Sequence, residues 1–232
     1  MYDISADVEA FSTMRDAELP YPVLQPHQTH GTGIAVVDDP HMQRDDIQQT
    51  DALITSLENF AIGVRTADCI PVLLYDGHHR AVAAVHAGWR GTVARIAAMT
   101  VDKMRLTFGS VPSEIVAMIG PGIGPESFQV GEDVIVEFEN AGFNMDDILF
   151  DMGPAVEKRA LPVGTEIAFE VSPMRGGPHI DLWKANKAML EESGVKNIST
   201  AGICTYLRND LFYSARREGV KCPRIITSIK LL

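Results

Sequence analysis

The chain has 232 residues, 46% hydrophobic and 22% charged, enough to bury a sizeable core within one large domain spanning 1–232. Its formal net charge of -11 and pI near 5.0 exclude the clustered cationic surface that nucleic acid or an anionic membrane requires, so a small-molecule partner is expected. No apolar run approaches the roughly 20 residues of a membrane span, and the opening MYDISADVEAF has neither a basic n-region nor an apolar h-region. Three cysteines, Cys69, Cys204 and Cys222, are too few and too irregular for a disulfide framework, which fits a reducing, cytoplasmic setting.

In chain order, the polar stretch from Asp38 to Thr50 reads as an exposed loop. Short β-branched runs surround it: GIAVV (33–37), DALI (51–54), FAIGVRT (60–66), IPVLLY (70–75) and RAVAAVHA (80–87), each predicting a strand. Beyond Gly88, Val93, Ile96, Ala97, Thr100, Val101, Met104 and Phe108 recur at helical spacing and predict one amphipathic helix ended by Gly109. SEIVAMIG (113–120) predicts a strand leading into the turn PGIGPES. Helices are expected from Glu132 to Ala141 and from about Asp181 to Ser193, with Gly142 and Gly194 as stops. KNISTAGI (196–203) and RIITSIKLL (224–232) predict late strands. The irregular mixture predicts an α+β fold with mixed sheets rather than a doubly wound parallel sheet.

The segments richest in chemistry are HQTHG with His30, RTADCIPVLL with Cys69, and AVHAGWRG with His86. Two imidazoles and a thiolate form a three-ligand set for zinc that leaves a fourth position open. Each residue also has a plainer reading, as a hydrogen-bonded core histidine or a small buried hydrophobe. The spacing is not a short local signature, so spacing alone does not establish convergence. Asp68, next to Cys69, is a candidate general base or ligand orienter, although neighbours on a strand face opposite sides and Asp68 equally suits a turn cap. Arg65 and Arg90 flank the candidate ligands. They offer bidentate contacts to an anion, or ion pairs with the abundant acids. The amides of GPGIG (120–124) are a candidate anion nest or simply a tight turn. His27 reads as solvated, and His78 and His79 as a hairpin tip. Trp89, Trp183 and Phe128 are candidates to stack on a ring or to fill the core.

HQTHGTGIAVV, TDALITS, VRTADCIPVLL, AAVHAGWRGTV, MIGPGIGPESFQVGEDV, DLWKANKAMLEESGV and GICTYLRNDLFYSARREG together resemble the bacterial laccase-domain, or polyphenol-oxidase-like, proteins, also described as purine nucleoside phosphorylases. The resemblance implies a layered α/β/β/α fold and a zinc site of His30, Cys69 and His86. It also implies phosphorolysis of adenosine, inosine and methylthioadenosine, with adenosine deaminase side activity and, in some members, oxidation of phenolic dyes. The motif YSARREG places Arg217 or Arg216 as further candidates to reach phosphate. Two departures stand out. The stretch between the FSTR-like strand and HQTHG is abbreviated to FSTMRDAELPYPVLQP, and Gly122 replaces a cysteine in IGPGI.

A zinc ion with an open position activates water towards C6 of adenosine, which accounts for deamination. Phosphorolysis needs an anion held beside a ribose that gains cationic character. Three other readings remain open on the sequence: a cysteine hydrolase or amidase with Cys69 activated by His86, a copper-dependent polyphenol oxidase, and a non-catalytic zinc- or nucleoside-binding protein. Copper suits two His and a Cys, but multicopper centres need HxH pairs, and none of the seven histidines forms one.

Overall fold

The computed structural model describes residues 1–151 and 176–232. Eleven strands are described: β1 (Val8–Ser12), β2 (Ile34–Val37), β3 (Ala52–Thr55), β4 (Ala61–Thr66), β5 (Ile70–Asp76), β6 (Ala81–Ala87), β7 (Val116–Ile119), β8 (Leu149–Asp151), β9 (Pro178–Ile180), β10 (Asn197–Thr200) and β11 (Ile225–Leu231). Six helices accompany them: α1 (Trp89–Val93), α2 (Ile96–Phe108), α3 (Glu132–Asn140), α4 (Met145–Ile148), α5 (Leu182–Glu192) and α6 (Ala215–Glu218). This is the mixed α+β architecture expected from the sequence. A six-stranded mixed sheet runs in the order β10-β7-β5-β6-β3-β2, and a three-stranded antiparallel sheet runs β1-β11-β4.

The layering follows from the two-residue period of the strands. β5 and β6 are buried along their whole length, which requires an apolar partner on both faces. Ile70, Val72, Leu74, Ala83, Val85 and Ala87 turn to one side, where Ile96, Val101 and Met104 of α2 and Leu182, Ala185 and Met189 of α5 cover them. Leu73, Tyr75, Val82 and Ala84 turn to the other side, against Ile62 and Val64 of β4, Ala10 of β1 and Ile229 of β11. The small sheet therefore packs on the large one, and β6 lies in the middle of both interfaces.

Two local expectations are corrected. The apolar period after Gly88 forms two helices instead of one, because Arg95 takes left-handed backbone angles (φ 62°, ψ 35°) between α1 and α2. Tertiary bonds hold that break: Arg95 reaches Glu192 at 2.6 Å and the Ala141 carbonyl. In SEIVAMIG only Val116–Ile119 is strand, since Pro112 starts a 3-10 turn over Pro112–Glu114. The helix from Asp181 starts as expected, with the Asp181 carboxylate accepting the Lys184 N–H.

Candidate active site

His86 is the penultimate residue of β6 and Cys69 immediately precedes β5, and the register that pairs Ile70 with Ala87 and Pro71 with His86 brings both to one end of the large sheet. His30 comes from the loop before β2, in left-handed conformation (φ 61°). One ligand atom from each of His30, Cys69 and His86 lies within 4.8 Å of the others, and the two imidazoles meet edge to face with centroids 4.8 Å apart. Gly88 lies beyond the Ile70–Ala87 pair, across from Cys69. A Cβ there would sit 3.0 Å from Cys69 Sγ and 3.3 Å from His30 Cδ2, so glycine is what leaves room for the cluster.

Asp51 holds the cluster in place, and the reading of the sequence missed it. It is fully buried and, one residue before the Ala52–Val85 pair, stands directly across from His86. Its carboxylate accepts the His86 Nδ1–H at 2.7 Å and the N–H groups of Thr29, His30 and Gly31 at 3.1, 2.9 and 2.8 Å, along with the Thr29 hydroxyl. One carboxylate thereby shapes the His30 loop and orients His86. Burial works against its charge, but His86 and the Gly31 and Thr29 amides bring its pKa down to about 2. An ionised carboxylate only accepts, so Nδ1 of His86 carries its proton and Nε2 is the nitrogen turned to the cluster.

Burial pushes the Cys69 thiol up. Hydrogen bonds to His30 and His86, with their charge, outweigh it and bring the thiol down to about 6. Burial likewise disfavours charge on His86, yet Asp51 and Cys69 hold it up to about 9. A thiolate and two imidazoles, one backed by a carboxylate, form a donor set suited to a divalent transition metal. With a metal held by His30, Cys69 and His86, the Asp51–His86 hydrogen bond would supply the outer half of a carboxylate–histidine–metal triad. Among the described residues this is the only group of three such ligands.

The remaining candidates divide. The Asp68 carboxylate is engaged in hydrogen bonds. It accepts the Thr205 hydroxyl at 2.7 Å and the Arg216 N–H at 2.6 Å, and the residue's φ of 84° belongs to a turn. It ties the first turn of α6 to the segment carrying Cys69. The amides of GPGIG are consumed internally: Gly120, Gly122 and Ile123 donate to the carbonyls of Pro71, Ile203 and Asp68, and Gly124 donates to Cys204 Sγ. The turn reading holds, and the nest is not available. Arg90 is exposed and stacks on the Trp89 ring at 4.2 Å. Arg217 donates to the Tyr206 carbonyl and lies over its ring, while Arg216 donates to the Gln129 carbonyl and lies over Phe128, which is buried. His27 faces Asp45 on the surface, and His79 is bonded to the buried Asp76 at 2.9 Å. Arg65 is partly buried at the end of β4, with Gln28 bonded to both its backbone N–H and its carbonyl.

The fold and the three-ligand cluster define the class. The family model described as multi-copper polyphenol oxidoreductase laccase matches residues 3–232, and the chain belongs to this laccase-like family. The relatives it resembles include a purine nucleoside phosphorylase of Bacteroides thetaiotaomicron, 38% identical over 93% of this chain and 75% of that protein. An adenosine deaminase from an unknown prokaryotic organism is 37% identical over 89% of this chain and 74% of its own length. Among solved structures, a hypothetical protein of Bacillus licheniformis superimposes with a TM-score of 0.74 at 30% identity, covering 90% of this chain and 74% of that one. A Neisseria meningitidis protein gives a TM-score of 0.77 at 25% identity over 100% of this chain and 97% of its own.

Proposed function

We propose that this protein is a metal-dependent purine nucleoside phosphorylase, cleaving adenosine, inosine and methylthioadenosine with phosphate, with adenosine deamination as a second activity at the same site. The observation that carries the reading is the His30, Cys69 and His86 cluster backed by Asp51, in a chain whose relatives bear these two activities as names. Zinc is the metal we assign, with copper accommodated by the same borderline-soft donors. When bound, the metal supplies Lewis acidity and an open position for substrate or water.

The residues supply the rest. Asp51 fixes the tautomer and direction of His86, so its Nε2 needs no reorientation when it acts as a ligand. The low thiol pKa keeps Cys69 anionic at neutral pH, ready to act as a donor. Gly88 leaves the space beside Cys69 and His30 that a Cβ would crowd, at 3.0 Å from Cys69 Sγ and 3.3 Å from His30 Cδ2. No helix among the described residues is long and apolar enough to cross a membrane.

One observation favours a second reading. A thiolate beside a His86 held near pKa 9 is also the pairing of a cysteine hydrolase or amidase. A copper polyphenol oxidase with several metal centres draws less support, since the described residues offer one such cluster.

The deciding experiment incubates metal-quantified protein with adenosine, with and without phosphate, for wild type and Cys69→Ala. Adenine and ribose 1-phosphate formed only with phosphate, together with loss of metal in the variant, support the phosphorylase reading. Activity that survives metal removal and is abolished by alkylation overturns it in favour of the hydrolase. Bound metal with no turnover leaves the chain a binding protein.

A further inference from the structure

We infer that Gln28 is a positioning residue for the metal site, setting the place of His30 relative to Cys69 through a two-bond clamp on the backbone of Arg65. The inference rests on the metal-binding reading of the cluster. Each pair of ligands is joined by a link of its own. The β5–β6 ladder joins Cys69 to His86, since Ile70 pairs with Ala87. Asp51 joins His86 to His30, taking the His86 Nδ1–H on one side and the N–H groups of Thr29, His30 and Gly31 on the other. The third pair, His30 and Cys69, is joined by Gln28. Its Nε2–H donates to the Arg65 carbonyl at 2.9 Å and its Oε1 accepts the Arg65 N–H at 2.8 Å. Gln28 stands two residues before His30, and Arg65 four residues before Cys69.

The clamp fits an open strand edge. Alternate residues of an antiparallel strand turn their N–H and C=O groups to the same side. On the side of β4 away from β11, the Ala61 carbonyl and the Gly63 N–H bond to the backbone of Leu24. Arg65 is next in that series and bonds to the Gln28 amide in place of a peptide. A primary amide offers one acceptor and a donor beside it, so Gln28 serves as one more rung of the small sheet. The far side of the clamp is firm as well. Thr66 pairs with Ile225 of β11, the Asp68 carbonyl accepts the Ile123 N–H at 2.8 Å, and the Asp68 carboxylate is bonded to Thr205 and Arg216. An anchor on Arg65 is therefore carried through to Cys69. Of the three ligands His30 depends most on such an anchor. It is exposed where His86 is buried, and among the described residues no carboxylate backs its ring as Asp51 backs His86. Its imidazole stands where its backbone is held, and the left-handed φ of 61° is a conformation that a residue other than glycine keeps only when its surroundings impose it.

The test uses the full-length protein and the variants Gln28→Ala, Gln28→Glu and His30→Ala. Gln25→Ala is the control on the same segment, because the Gln25 side chain bonds locally to the Val23 carbonyl. Zinc affinity is measured by competition with a chelating dye, cobalt(II) is bound in place of zinc as a spectroscopic probe, and the Tm of the chelated form reports on folding. Gln28→Ala is expected to weaken zinc binding about tenfold, the lower end of the loss found for outer partners of metal ligands, since Gln28 acts through the backbone. Its cobalt spectrum is expected to move towards that of His30→Ala, with ligand-field bands weakened as water takes the place of an imidazole. Gln28→Glu keeps the side-chain length and the acceptor but loses the donor, and is expected to shift the same readouts less; it carries the test if Gln28→Ala fails to fold. Gln25→Ala is expected to match wild type. A cobalt spectrum and zinc affinity unchanged in both Gln28 variants overturn the proposal whatever happens to Tm, leaving Gln28 a structural tie alone, and an equal loss in Gln25→Ala overturns it too. Wild type that binds neither zinc nor cobalt removes the metal reading and the proposal together. Metal bound and weakened by Gln28→Ala, with no nucleoside cleaved, supports the proposal while the phosphorylase reading falls.

Discussion

At the scale of single residues, Asp51 carries more of the site than its silence in the motif suggests. Asp51→Asn keeps the size but loses the charge that fixes His86 Nδ1–H, and removal of such an outer partner typically costs about 10–100-fold in metal affinity. That loss is the expected outcome in a competition titration with a chelating dye, with His30 and Cys69 intact. The same residue has an acid signature. Its pKa is depressed to about 2 in the fold against about 3.9 unfolded, so its contribution is complete above pH 4 and disappears as the pH falls from about 4 to about 2. Wild type is expected to lose about 2 kcal/mol over that window in denaturant melts, a segment that Asp51→Asn lacks. Metal binding has a proton count of its own. At pH 7.5 Cys69 is already thiolate and His86 still protonated, so calorimetry in buffers of differing ionisation enthalpy is expected to show about one proton released. The number should fall as pH rises through about 9 and grow as pH drops through about 6. A release near zero at pH 7.5 would refute the thiolate–imidazolium pairing.

At the scale of elements, Asp68 is a joint. It links Thr205 and the first turn of α6 to the segment leading into β5. Asp68→Ala strands the buried Thr205 hydroxyl and the Arg216 N–H, at an expected cost of about 2–4 kcal/mol in chemical denaturation. Asp68→Asn retains an acceptor and is expected to fold with its activity within a few-fold of wild type; a drop of a thousandfold with unchanged stability would restore Asp68 as a general base. The unbroken apolar runs VLL and AVAAV are those of strands buried on both faces, which is why β5 and β6 were legible. Asp51 was not, because its role depends on β3 lying antiparallel to β6 in one register, and pairing between distant segments leaves no local trace. The left-handed Arg95 was invisible for a similar reason: its side-chain bonds to Glu192 and Ala141 come from parts of the chain that periodicity does not connect. The Gly120–Gly124 turn could be read either way until the partners of its amides were known.

At the scale of the whole molecule, the cluster stands at the end of strands whose burial does not depend on it. The apolar layer under α2 and α5 and the layer between the sheets are each filled by side chains with almost no exposure, and Asp51 shapes the His30 loop through bonds within the protein. The fold is therefore organised before any metal arrives, unlike small domains in which a metal supplies most of the folding energy. Chelated protein is expected to keep its far-ultraviolet circular dichroism and to lose only the binding contribution, about 2.7 kcal/mol when free metal stands at 100 times Kd. For a chain of this size that is a fall in Tm of roughly 5–10 °C. Re-addition of zinc should restore it, and Asp51→Asn should show a smaller difference between the chelated and loaded forms, since weaker binding lowers the linkage term at the same metal concentration. Cooperative unfolding on chelation at 25 °C would mean that the two sheets are held together through the cluster rather than through the apolar layer between them.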